Sequence, residues 1–329
     1  VAGDRLGGRP PGGGQQRHRG AAHPAREAPP RDGPTALIAD WREYVSRFPR
    51  ASRGDLLRLG WRYLRLHLQR GPTGRPLQPA GKAIICLTTI PSRIGSLAPT
   101  LRSLLDQTAP PAEIRLYLPQ RSRREGRGYD LPGFLRNMAG VAVIRCERDW
   151  GPATRLIPAL HASEDPDATL ITVDDDTIYP PDLVATLLAW QERLPAAALA
   201  YRGWPAPATL RWADSPTLYG TNLSEPAPVD VLTSTWGTLV RPSFFDAAVR
   251  DYAAYPADAF FVDDLWFSGH LARRGVPRFV VPAVLPPLPR RLHRRNALFD
   301  RENADGRHND ALLRAFAPYW ACSGGLSSK

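Results

Sequence analysis

Three consecutive carboxylates, Asp174, Asp175 and Asp176, close an apolar run, Leu170-Ile171-Thr172-Val173. The run has the length and composition of a buried strand, and Pro180-Pro181 mark the turn that follows it. Adjacent like charges at a strand end are costly unless something positive lies among them. A divalent cation with oxygen ligands is the simplest compensation, and such a cation commonly takes a substrate phosphate as well. The chemistry implied is the binding of a diphosphate through a metal. An acidic, solvated turn without a ligand is the plainer alternative.

Other residues of suitable type punctuate the chain. Thr88-Thr89-Ile90-Pro91-Ser92-Arg93 follows an apolar segment and offers two hydroxyls and one guanidinium. Arg155 falls in the first turn of a segment opened by Gly151-Pro152, where free amides and the helix dipole favour anions. Asp263-Asp264 precede Leu265-Trp266-Phe267 at the head of a helical pattern, a place that also suits carboxylates merely as caps. Trp236-Gly237 joins a flat aromatic face to a residue that allows close backbone approach.

The elements that must position these groups alternate. From residue 82 onward the pattern predicts strands over 83–89, 113–118, 141–146 and 169–174, and helices over 96–107, 152–162 and 181–194. Short strands are expected over 199–202, 229–232, 238–241 and 278–281, and a helix within 260–274 stopped by Gly275. Such alternation predicts an α/β fold with a doubly wound, mostly parallel sheet, whose ligands collect beyond the C-terminal strand ends. The Thr88–Arg93 turn and the aspartates both fall there.

The 329 residues carry a formal charge of +11, but residues 1–80 hold 15 Arg against 6 Asp or Glu and so account for +9 of it. The remainder is close to neutral, which argues against a nucleic-acid platform. Residues 1–34 are rich in Gly, Pro and Arg and are expected to be a disordered tail. Residues 35–75 read as basic amphipathic helices: Leu37, Ile38, Trp41, Tyr44, Val45 and Phe48 form one apolar set, and Leu56, Leu57, Trp61, Leu64 and Leu68 another. They are expected either to rest on an anionic membrane or to pack on the main domain through Trp41, Phe48 and Trp61. Residues 71–81 read as a linker. Cys86, Cys146 and Cys322 lack metal-ligand spacing, and Cys86 and Cys146, within apolar strand patterns, read as buried, reduced thiols. The sequence holds no apolar run of about 18 residues or more and no apolar signal core, so a cytoplasmic location, peripheral on the inner membrane face, is expected.

Taken in order, the strand-end threonines, Asp149-Trp150-Gly151-Pro152-Ala153-Thr154-Arg155, the aspartate triad, Trp236-Gly237 and Val262-Asp263-Asp264-Leu265-Trp266 resemble a glycosyltransferase of the GT-A fold, of the bacterial family-2-like and exostosin-like kind. The resemblance covers about residues 82–320 and implies a Rossmann-like sheet with a helical basic extension ahead of it. It implies a nucleoside-diphosphate sugar donor, UDP being favoured as common in this fold, and a glycan or lipid-linked acceptor in polysaccharide biosynthesis. In the pattern of that family Asp176 would hold Mn²⁺ or Mg²⁺, with Asp174 near the donor and Asp175 behind them. Thr88, Thr89, Arg93 and Arg155 would contact the nucleotide and its phosphates. Asp264 would be the base and Asp263 its helper, although the family more often has Glu at the first of these positions. Trp236, Gly237 and Trp266 would line the acceptor site, and His293, or else His308, would complete the metal ligands.

Two other readings share these residues. A haloacid dehalogenase-type phosphotransferase uses a strand-end Asp-x-Asp-x-Thr, but Ile178 stands in the Thr position and the motif lies mid-chain. A carbohydrate-binding scaffold of the same fold would keep the shape without turnover.

Overall fold

A computed structural model of the protein describes residues 51–69, 83–290 and 306–320. The expectations for residues 1–50 and 71–81, for His293 and for Cys322 lie outside these residues.

In chain order the elements are α1 (Arg53–Leu68), β1 (Ala83–Thr88), α2 (Ala98–Leu105), β2 (Glu113–Pro119), α3 (Gly133–Arg136), β3 (Val141–Cys146), α4 (Ile157–Ala162), β4 (Thr169–Thr172), β5 (Thr177–Ile178) and α5 (Leu183–Arg193). There follow β6 (Ala198–Ala200), β7 (Arg202–Trp204), β8 (Leu218–Tyr219), β9 (Ala227–Pro228), β10 (Val231–Leu232), β11 (Thr238–Val240), α6 (Asp263–Arg273), β12 (Arg278–Val280), β13 (Leu288–Pro289) and α7 (Arg307–Ala315).

The main sheet has eight strands in the order β3-β2-β1-β4-β11-β6-β12-β9. Six of them run the same way, while β11 and β9 run against their neighbours. The α/β expectation therefore holds, with an antiparallel strand set between β4 and β6. Alternate residues of the central strands face opposite layers. Ile85, Leu87, Leu116 and Ile171 pack with Leu101, Leu104, Leu183 and Leu187 of α2 and α5. Cys86, Tyr117 and Leu170 pack on the other side with Ala159 of α4, Leu265 and Trp266 of α6 and Leu312 of α7. Helices thus cover both faces, which is why the central strands are apolar on both.

Several boundaries differ from the sequence reading for identifiable reasons. The helix expected over 152–162 is split into a 3-10 turn, Gly151–Arg155, and α4. Pro158 cannot donate the bond to the Thr154 carbonyl that would carry one helix into the next, and α4 starts afresh after Leu156. The strand expected over 199–202 is two strands in different sheets, β6 in the main sheet and β7 in a small sheet ordered β10-β7-β8.

Helix α1 starts with a capping box: the Ser52 hydroxyl accepts the Asp55 amide, and the Asp55 carboxylate accepts the Ser52 amide. The helix packs on the body, but not by the side its apolar pattern marks. Leu59, Arg62 and Leu66 are buried, while Trp61 is 69% exposed. The Arg62 guanidinium donates to the carbonyls of Ser103, Asp106 and Tyr179 and to the Asp106 carboxylate. The expectation that Trp61 forms the contact with the main domain is corrected: a buried arginine does so. No helix among the described residues is long and apolar enough to cross a membrane.

Candidate active site

Strand order puts the site where it is. In the order β3-β2-β1-β4 the chain leaves β1 toward β2 on one side and meets β4 on the other, so a crevice opens between the C-terminal ends of β1 and β4. Thr88 ends β1, and Asp174 lies two residues beyond β4. The two ends touch: the Thr89 hydroxyl donates to the Asp175 carboxylate at 2.5 Å. A cleft of about 480 Å³ lies over this rim and is lined by Thr88, Thr89, Arg93, Arg155, Asp174, Asp175, Asp176, Asp263 and Asp264 together. Residues spread over most of the domain's sequence thus meet in one place.

The aspartate loop is held from below. The Asp174 amide donates to the Tyr179 hydroxyl, which donates to the Thr235 carbonyl. Thr100 donates to the Asp175 carbonyl, and the Arg290 amide donates to that of Asp176. Strand β5, which continues the loop, pairs with β13. Neither Tyr179 nor Arg290 stands out in the sequence; their roles follow from long-range placement.

Two guanidiniums pair directly with four of the five carboxylates. Arg93 bonds Asp175 at 3.0 Å and Asp176 at 3.3 Å. Arg155 pairs with Asp174 and, at 2.9 Å, with Asp263. Burial works against the Arg155 cation, but Asp263, Asp174 and Asp264 outweigh it and hold the group above its ordinary value. The acids remain in excess. Burial, then Asp175 and Asp174, push the Asp176 carboxyl up to about 7. Burial is also the main cause that raises Asp263 and Asp264, with Arg155 opposing it in both.

This donor set fits a hard divalent cation in one particular way. Among the described residues no group of three or more His, Cys, Asp or Glu forms a cage. Asp174 and Asp176 offer carboxylate oxygens alone, and burial, with the neighbouring Asp175 and Asp174, raises the Asp176 carboxyl. Mg²⁺-type sites are commonly one or two carboxylates completed by substrate phosphates and water. His308 pairs with Asp258 and stacks on Phe261, so its ring is already engaged.

The acid pair stands at the head of α6. The Asp264 carboxylate accepts the Ser234 amide at 2.9 Å, which fixes one oxygen. Asp263 is buried against Arg155, whereas Asp264 is only half-buried. The loop carrying Arg155 is drawn close to the segment before α6. Gly151 has φ +63°, and a Cβ there would lie 2.4 Å from the Phe260 carbonyl. Asp149 accepts the amides of Gly151 and Arg123 and so shapes the same loop.

Three expected acceptor residues do not line the cleft. Trp266 is fully buried, ringed by Tyr252, Tyr255, His270 and Phe316, and its indole N–H donates to the Val249 carbonyl. Trp236 is buried against Tyr219 in the core beneath the sheet rim. Gly237 has φ +84° and would place a Cβ 3.0 Å from Leu183, so its glycine answers a backbone turn over α5 and not a ligand. The apolar surface of the cleft instead comes from Trp204, Trp212, Phe260 and Phe261, with Tyr129 nearer the aspartates. These lie in short strands and loops without periodicity, so no sequence signal separated them from other aromatics.

No protein-family model matches the sequence, and no curated protein matches it. Among solved structures the chain is similar to TarS of S. aureus, residues 1–349, at 15% identity over 75% of this chain and 75% of that one, with a TM-score of 0.39. It is similar to the mannosyltransferase PcManGT from Pyrobaculum calidifontis, determined with GDP-Man and Mn²⁺, at 16% identity over 87% and 84%, with a TM-score of 0.40. GalNAc-T7, determined with UDP, GalNAc and Mn²⁺, is 14% identical over 61% of this chain and 42% of that one, with a TM-score of 0.43.

Proposed function

We propose that the protein is a GT-A-type glycosyltransferase that moves a sugar from a nucleoside-diphosphate donor to a hydroxyl of a glycan or lipid-linked acceptor, with residues 82–320 as the transferase domain. The observation that carries this reading is the meeting of Asp174–Asp176 with Asp263 and Asp264 across one cleft at the β1/β4 crevice. Mn²⁺ or Mg²⁺ held by Asp176 and Asp174 would neutralise the diphosphate as it leaves.

The chain's own groups divide the remaining work. Thr88, Thr89 and Tyr129 line the nucleotide end, the Tyr129 hydroxyl donating to the Thr89 carbonyl. Arg93 can exchange its carboxylate partners for phosphate oxygens when a diphosphate enters, since its fork suits both. Arg155 is a positioning residue: it ties Asp174 on the donor side to Asp263 on the acceptor side. Asp264, half-buried and held by the Ser234 amide, is the base that takes the proton from the attacking hydroxyl. Trp212, Phe260 and Phe261 give the acceptor sugar flat apolar faces, with the buried Trp204 behind them.

A phosphotransferase with an aspartyl nucleophile is disfavoured by the Arg155–Asp174 pair, which engages the first carboxylate of the triad. A luminescent assay of nucleotide release from a panel of UDP- and GDP-sugars, with Mn²⁺ or chelator, tests the proposal. Consumption of at least one donor, dependent on the metal, is expected. No consumption with any donor, acceptor or water would leave a non-catalytic scaffold as the reading.

A further inference from the structure

Helix α1 has two apolar faces, and the body of the protein uses only one of them. Leu59 and Leu66 are buried in a cluster with Ile178 and Leu288. On the opposite side Leu57, Trp61, Leu64 and Leu68 follow the spacing i, i+4, i+7, i+11 and are 76%, 69%, 47% and 67% exposed. Four large apolar side chains in one exposed row are more than scattered surface residues. Arg53 extends the row by one turn, and Arg58 and Arg65 run along one side of it, Arg58 paired with Asp55 and Arg65 with Asp106, all three exposed. The two acids nearest this face do not lie on it. Asp55 is drawn back into the capping box with Ser52, and Asp106 belongs to the body beneath Arg62 and Arg65. The outward arc of α1 therefore carries leucine, tryptophan and arginine and no carboxylate.

We propose that this face is a docking surface for an anionic lipid bilayer, with Trp61 and the three leucines entering the boundary beneath the headgroups and the flanking arginines meeting phosphate. An interfacial helix needs an apolar face edged by cations, with an indole at headgroup depth, and the arc has each of these. Charge complementarity selects the lipid. Residues 1–80 carry +9 of the chain's +11, so the approach of this end to an anionic surface is favoured. A second copy is a poorer occupant, because pairing two such arcs brings their arginines together and adds no carboxylate to those that Arg58 and Arg65 already meet. The inference is independent of glycosyl transfer, since none of these side chains lines the cleft.

Flotation of the full chain with vesicles of phosphatidylcholine, or of phosphatidylcholine with phosphatidylglycerol, tests it. The protein is expected to float with the anionic vesicles, less so at high salt, and to stay behind with the neutral ones. Leu57→Gln together with Trp61→Gln should weaken the association at least about tenfold while melting temperature, monomer mass and donor turnover stay unchanged. The proposal is overturned if the wild type ignores both vesicles, or if the double variant floats as the wild type does. It is equally overturned if the variant melts well below the wild type, which would mean that part of the chain itself covers the row. A dimer that the variant dissolves would overturn it by naming a second copy as the occupant.

Discussion

Arg155 shows how residue types in a sequence differ from residues in a site. Its place after Gly151-Pro152 marked it as a phosphate contact, yet in the folded chain it spans Asp174 and Asp263. The acids were legible because a strand end is the wrong place for three carboxylates unless they do something. The tryptophans were not, because an indole in an apolar context suits core and sugar platform equally, and Trp236 and Trp266 went to the core. Replacing Asp264 by Asn should lower turnover by about a hundredfold or more while donor affinity stays near normal. Unchanged turnover would remove Asp264 as the base. Arg155→Met should cost about 3–5 kcal/mol by leaving buried acids without their cation, measured by denaturant unfolding. The raised Asp176 makes a pH prediction. Its folded value, about 7, lies above the ordinary 3.8, so the folded state holds a proton there that the unfolded chain has lost. That contribution is complete below the ordinary value and disappears as pH rises toward and through 7. In chelator the melting temperature should therefore fall from pH 5 to pH 8, and Asp176→Asn should flatten the decline. A decline as steep or steeper in the variant would count against a raised, buried carboxyl at Asp176.

At the scale of elements, the sequence was most readable where strands are long and buried on both sides. β1, β2 and β3 lie within a residue of their expected bounds. After β4 the strands shrink to two or three residues, too short for a period to declare itself, and β8 and β9 were hidden in what looked irregular. The direction of β11 was also unreadable, since a buried strand has the same composition whichever way it runs. Helix α1 was read correctly as a helix but turned about its axis. Hydrophobic pattern marks a face that wants cover, and the body instead took the face centred on Arg62, whose guanidinium is satisfied by three carbonyls and Asp106. Arg62→Met should destabilise the chain by about 2–4 kcal/mol, because the Tyr179 carbonyl loses its donor in a buried place and Asp106 loses a charged partner. A change in unfolding free energy within experimental scatter would show that α1 is held by Leu59 and Leu66 alone.

For the whole molecule the sheet order is the main fact. A β3-β2-β1-β4 half brings Thr89 to Asp175, and the reversed β11 brings the Ser234–Thr235 loop to the same rim, where α6 starts. Alternation of strand and helix made the parallel half predictable from the sequence, and with it the edge on which a ligand gathers. Which loops complete the acceptor side depended on contacts between segments far apart in the chain. The central claim is that the rim's acids grip a cation and, through it, a diphosphate. Calorimetric titration of UDP and of GDP into the full chain, in Mn²⁺ and then in chelator, measures this directly beside Asp176→Asn. At least one nucleotide should bind about tenfold or more tighter with Mn²⁺, a difference of about 1.4 kcal/mol, and the variant should lose that gain. Affinities that ignore the metal for both nucleotides, or a variant that keeps the wild-type response, would contradict the account.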